Sequence, residues 1–120
     1  MKNNIVFFPT NNLCVVEDFY TKVLELTIYH RTKNSVIFDT GHGCLGFVFY
    51  GDDRQLASGN CISFDLGSVE EVDNAYLKLK LSGKCDIKAA PQKHKNFPVY
   101  SFFFHDPNGY LLEYQHILIE

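Results

Sequence analysis

The feature that most constrains this chain is that its two halves spell the same order of elements. Residues 4–8 form an apolar, β-favouring run closed by Pro9 and the Asn11-Asn12 pair, which reads as a strand leading into a helix with Asn12 as its N-cap. Val16, Phe19, Tyr20, Val23 and Leu24 then recur at helical spacing, with Glu17, Asp18, Thr21 and Lys22 on the other side. Strand candidates follow at 27–31, 35–39 and 44–50, separated by Lys33-Asn34 and Gly41-His42-Gly43. A polar, turn-rich stretch over 51–59 is the best internal boundary. Beyond it the order repeats. Residues 61–66 alternate strictly, Ser68 and Glu71 make a capping box, and Val72, Ala75, Tyr76 and Leu79 form a helical stripe that stops near Gly83. Further strands are expected at 84–90, 99–104 and 110–117, the last two joined by the Asp106-Pro107-Asn108-Gly109 turn.

A sheet covered by a helix on one face still has a second face to satisfy, with another layer or with a ligand. The expected fold is therefore α+β: two tandem strand-helix-strand-strand-strand modules, about 3–51 and 59–118, forming a curved mixed sheet around a cavity with the helices outside. At 120 residues and 46% hydrophobic content, one domain over 1–120 is expected.

Composition removes several classes of function. A formal charge of −3, mixed along the chain, leaves no basic footprint for nucleic acid or anionic lipid. No apolar run approaches the roughly 20 residues that span a bilayer, and the start has no signal-peptide pattern, so a cytoplasmic protein without a membrane partner is expected. Cys14, Cys44, Cys61 and Cys85 occur singly, without CxxC spacing, and read as reduced core or wall residues. Neither a Ser-His-Asp order, a phosphate-cradling glycine loop nor an HExxH pattern occurs.

Phe19-Tyr20-x-x-Val23-Leu24-x-Leu26 resembles the first-helix motif of the vicinal-oxygen-chelate superfamily, which includes glyoxalases, extradiol dioxygenases and bleomycin-resistance proteins. The segment from Phe104 to Glu113, FHDPNGYLLE, resembles its closing hairpin. With the duplicated order, the resemblance covers essentially the whole chain. Glu25 stands where the family's helix end usually carries Gly, a departure expected to matter little, since helices can end without a left-handed glycine. The metal-dependent members hold a divalent ion on inward side chains from the first and last strands of both modules. By resemblance those positions fall on Ile5, Gly46, Cys61 and Glu113. The first two offer no ligand, and two remaining donors fall short of the three or four that such ions require. No metal or other cofactor is expected.

Glu113 alternates with Leu112 and Tyr114, so if those face the helix, Glu113 and Gln115 face the cavity. Glu113 is the candidate catalytic or ligand-binding carboxylate. Cys61 and Ser63 share the corresponding face of their strand, and Asp65, near its end, is expected in solvent. Phe7, Phe103 and Tyr100 are candidate aromatic walls. His105 is placed to approach the cavity mouth, whereas His30, His42, His94 and His116 are expected on the surface. The resemblance implies a metal-free small-molecule binder, sequestering an aromatic or cationic compound against Glu113. Its alternative is a glyoxalase-type lyase or isomerase using Glu113 as ligand or base, with metal ligands supplied in part by a partner subunit. A homodimer is expected by the same analogy.

Overall fold

In the computed structural model, which describes residues 1–119, the chain divides into two units, Met1–Ser58 and Gly59–Glu120. The boundary falls in the polar connector, and the residue-120 end of the expected domain lies outside the described residues. The first unit contains β1 (Ile5–Pro9), α1 (Leu13–Asp18) running into a π-helical turn (Phe19–Val23), β2 (Thr27–Thr32), β3 (Ser35–Asp39) and β4 (Cys44–Val48). Its sheet has the order β1-β4-β3-β2, with β1 parallel to β4 and the other neighbours antiparallel. Asn12 starts α1 by accepting a hydrogen bond from the Val15 backbone N–H at 3.2 Å. The helix then buries Val16, Phe19 and Tyr20. The Tyr20 ring lies 5.2 Å from Phe38 and 4.9 Å from Phe47. Each such burial contributes roughly 1.5–3 kcal/mol, which is what holds so short a helix to its sheet.

The end of that helix corrects the expectation for Glu25. The Leu24 N–H reaches the Phe19 carbonyl at 3.1 Å, the i−5 bond of a π turn. Glu25 next reverses the chain with φ of 61° and is the only non-glycine residue at positive φ among the described residues. A side chain here crowds its own backbone, so the missing glycine carries strain.

The second unit contains β5 (Cys61–Asp65), α2 (Val69–Ser82), β6 (Asp86–Ile87), β7 (Gln92–Lys93), β8 (Val99–His105) and β9 (Leu111–Ile117). Its sheet runs β5-β9-β8-β6, with β7 also on β8, and β5 is parallel to β9. Ser68 caps α2 by accepting from the Glu71 N–H at 3.1 Å, and Gly83 closes the helix at φ of 66°. Val72 and Leu79 of the helix are buried, as are Phe102, Phe104 and Leu112 of the sheet. The β8–β9 turn is tied by the buried Asp106, whose carboxylate accepts from the N–H groups of Asn108 at 2.8 Å and Tyr110 at 3.0 Å.

The single strand expected over 84–90 is instead two short pieces. The Lys88 N–H still bonds to the Phe103 carbonyl at 3.1 Å, while Gln92 pairs with Ser101. Residues 89–91 therefore stand against Phe102 alone and bulge from the edge. Pro91, with no N–H to donate, suits that interruption. The α+β class and the duplicated element order hold in both units, each with one mixed sheet and its own helix. No helix among the described residues is long and apolar enough to cross a membrane.

Because Glu25 holds a left-handed backbone that glycine adopts without a side-chain clash, Glu25→Gly should stabilise the protein by about 1 kcal/mol. A melting temperature a few degrees higher checks this, and an unchanged or lower one contradicts the strain.

Candidate functional site

Alternation divides the residues of the second sheet between two faces. Phe102, Phe104 and Tyr114 form a ring cluster on the α2 side, with Tyr76 of the helix 5.5 Å from Phe102. The other face is left uncovered by α2 and carries Cys61, Ser63 and Asp65 from β5, Glu113 and Gln115 from β9, and Phe103 from β8. Strand register aligns them in rows. Ser63 pairs with Glu113, and Glu113 with Phe103. In the next row Asp65 pairs with Gln115, and Gln115 with Ser101.

Glu113 is buried, at 8% exposure. Its Oε1 accepts a hydrogen bond from the Ser63 hydroxyl at 2.8 Å. Among the described residues, no cation pairs with either carboxylate oxygen and no second hydrogen bond is made to the group. A carboxylate so enclosed, with one neutral donor, has lost water without regaining an equivalent set of partners. Its surroundings form a cavity of about 410 Å³ whose lining includes Cys61, His94, Phe97, Phe103, Glu113 and Gln115. The Cys61 thiol is pushed up to about 11, first by desolvation and then by the negative charge of Glu113. It is held as the thiol at neutral pH, which disfavours nucleophilic attack.

His94, expected on the surface, instead lines this cavity. Its ring lies 5.0 Å from Phe97 and 6.5 Å from Phe103. The Asn96 N–H donates to His94 Nδ1 at 3.0 Å, so the neutral ring carries its proton on Nε2. The His94 N–H donates to the Val99 carbonyl at 2.8 Å, closing a hairpin tip that brings the ring back over the sheet. Pairing of the short Gln92–Lys93 segment with β8 was the signal, hidden in the sequence by the bulge before it. Phe97 was likewise missed.

Other placements differ from expectation. Tyr100 faces α2, where its hydroxyl donates to Asp73 Oδ1 at 2.6 Å, and that bond, followed by burial, raises its pKa. It is therefore not a wall of this cavity. His116 is not a free surface residue, since its Nδ1 lies 2.8 Å from the Leu66 carbonyl. His105 lies on the open face but does not line the cavity. Its Nδ1 is 3.6 Å from Asp86 Oδ2, too long for a hydrogen bond, and is buried without such a partner.

In the first unit, Ile5 pairs with Cys44, whereas Gly46 pairs with Phe7. The Phe7 ring lies over Gly46, where a Cβ would come within 2.6 Å of it. Glu113 likewise has Ser63, and not Cys61, as its direct neighbour on the adjoining strand. Among the described residues no group of three or more His, Cys, Asp or Glu side chains is arranged to hold a metal ion. One carboxylate, whose neighbour on the adjoining strand is a hydroxyl that donates to it, falls short of the three or four donors a divalent ion takes.

The sequence profile of the Glyoxalase/Bleomycin resistance protein/Dioxygenase superfamily matches residues 4–114. Solved structures share the fold. A glyoxalase/bleomycin resistance protein/dioxygenase from Nocardioides has a TM-score of 0.79 at 22% identity, over 98% of this chain and 84% of that one. A family enzyme from Burkholderia phytofirmans PsJN reaches 0.80 at 19% identity, over 96% and 98% of the two chains. A lactoylglutathione lyase from Agrobacterium tumefaciens gives 0.78 at 18% identity, over 94% and 91%. No protein of curated function matches the chain.

The raised Cys61 pKa makes a direct test of this electrostatic environment. At pH 8 Cys61 should be alkylated by iodoacetamide roughly 100-fold more slowly than an ordinary free thiol, in proportion to its thiolate fraction. Glu113→Gln removes the second cause of the shift and should speed the reaction, as read by site-resolved mass spectrometry. Ordinary reactivity in the unsubstituted protein would contradict the thiol's assigned surroundings.

Proposed function

The chain belongs to the glyoxalase/bleomycin resistance protein/dioxygenase superfamily, and we propose that within it the protein is a metal-free binder of a small aromatic compound bearing a cationic or hydrogen-donating group. The observation that carries this reading is the buried carboxylate of Glu113, which pairs with no cation among the described residues, in a cavity with aromatic side chains. A ligand ammonium or N–H beside Glu113 restores the interaction lost with water, and a ring against Phe103 and Phe97 removes apolar surface from water. Ser63 orients the carboxylate, and Gln115, one position along the same face, offers a donor and an acceptor to the ligand edge. The thiol of Cys61 acts as a wall.

A glyoxalase-type lyase using Glu113 as metal ligand or base has less support, because the groups beside the carboxylate do not supply a metal donor set. Likeness to the lactoylglutathione lyase, at 18% identity, extends to the fold alone.

Glu113→Gln keeps the shape and removes the charge. It should weaken binding of benzylamine by about 1–3 kcal/mol, the range for a hydrogen bond to a charged group, and leave benzyl alcohol nearly unchanged. Calorimetric titration of both ligands tests the assignment. Equal losses for the two would show that the carboxylate does not select charge.

A further inference from the structure

We propose that the Glu113 cavity continues into an anion-accepting subsite at the bulged edge of the same sheet, walled by Lys88 and Lys95, so that the ligand carries a carboxylate or phosphate opposite its cationic end. This inference rests on the binding function proposed for Glu113 and adds the second half of the ligand's chemistry.

The bulge makes the subsite. With residues 89–91 thrown out of the ladder, a second cavity of about 300 Å³ opens at the edge, and its lining includes Lys88 and Lys95 with Gln92 and Ser101. His94 and Phe103 line both cavities, so the two adjoin at that pair of side chains. Register sets the span between the two ends. The Lys88 N–H bonds to the Phe103 carbonyl, and Phe103 pairs with Glu113. Lys88 and Glu113 are thus two strand spacings apart, about 10 Å between backbones. A benzene ring substituted at opposite ends fits between side chains reaching inward from that distance.

Charge supports the same occupant. The chain is acidic overall, yet no acidic residue occurs from 87 to 105. Lys22, Arg31 and Arg54 pair with acids, whereas Lys88 and Lys95 make no ion pair among the described residues. Lysine on an edge strand also discourages edge-to-edge association. That role requires neither the bulge nor a cavity continuous with a buried carboxylate. An organic anion with an aromatic body uses all three features.

Benzylamine and 4-(aminomethyl)benzoate differ by the one anionic group and make the test, titrated calorimetrically at low ionic strength because exposed charges are screened by salt. The benzoate should bind about tenfold more tightly, the combined effect of a few exposed ion pairs. The double variant K88Q/K95Q should cut the affinity ratio to roughly twofold or less, since exposed pairs supply it. Inorganic phosphate should compete against the benzoate and not against benzylamine. A ratio near one in the unsubstituted protein, or one that survives the double substitution, overturns the subsite. If benzylamine binds without regard to Glu113→Gln while the lysine-dependent preference persists, the subsite stands and the Glu113 function falls.

Discussion

Parallel pairing of the first and last strand in each unit is the constraint from which the site follows. Two parallel neighbours cannot be joined by a hairpin, so the chain must leave the sheet and return. A helix on the outward journey covers one face, and the strands of the return build the sheet from its far edge back to the first strand. The same pairing that requires the helix leaves the opposite face without a layer from that unit. In the second unit it also sets Ser63 beside Glu113 although the two are fifty positions apart in sequence.

What occupies that face is decided residue by residue. On the α2 side, the rings of Phe102, Phe104 and Tyr114 supply the burial that stabilises the sheet. The open side gives up part of that gain by placing a carboxylate among apolar walls. Ser63 compensates one oxygen with a neutral hydrogen bond, a contribution near 1.5–3 kcal/mol when the acceptor is charged. The cost of desolvating a carboxylate is larger than one such bond returns. That uncompensated cost is the ground for proposing Glu113 as a ligand anchor.

The parts legible in the sequence were those written in local patterns. Alternation over 61–66 and the flanking of Glu113 by Leu112 and Tyr114 sorted the faces correctly, because a period of two leaves no other arrangement once one face packs on a helix. Asn12, Ser68 and Gly83 marked helix ends by their own chemistry. Three features were not legible, each because it depends on a distant partner. The π turn places Glu25 in a left-handed conformation only when Tyr20 seats on Phe38 and Phe47. The bulge at 89–91 exists only relative to Phe102. His94 reaches the cavity only because that bulge sends β7 back onto β8, and a histidine between two lysines carries no local sign of burial.

Equivalent rows in the two units show how one framework supports different chemistry. The third residue of the first strand pairs with the third residue of the last in both, Phe7 with Gly46 and Ser63 with Glu113. The next strand adds Ile37 in the first unit and Phe103 in the second. In the first unit the central position is a glycine and the ring of Phe7 fills the volume that a side chain there would take. In the second unit the outer position shrinks to serine, and the central position carries the carboxylate that the serine holds. Size is conserved in each pair by giving bulk to one member only. The trade determines polarity: a large ring opposite glycine seals a row with carbon, whereas a small hydroxyl opposite glutamate leaves both room and an acceptor. The second unit's row therefore carries polar groups, while the first unit's equivalent row is closed by carbon.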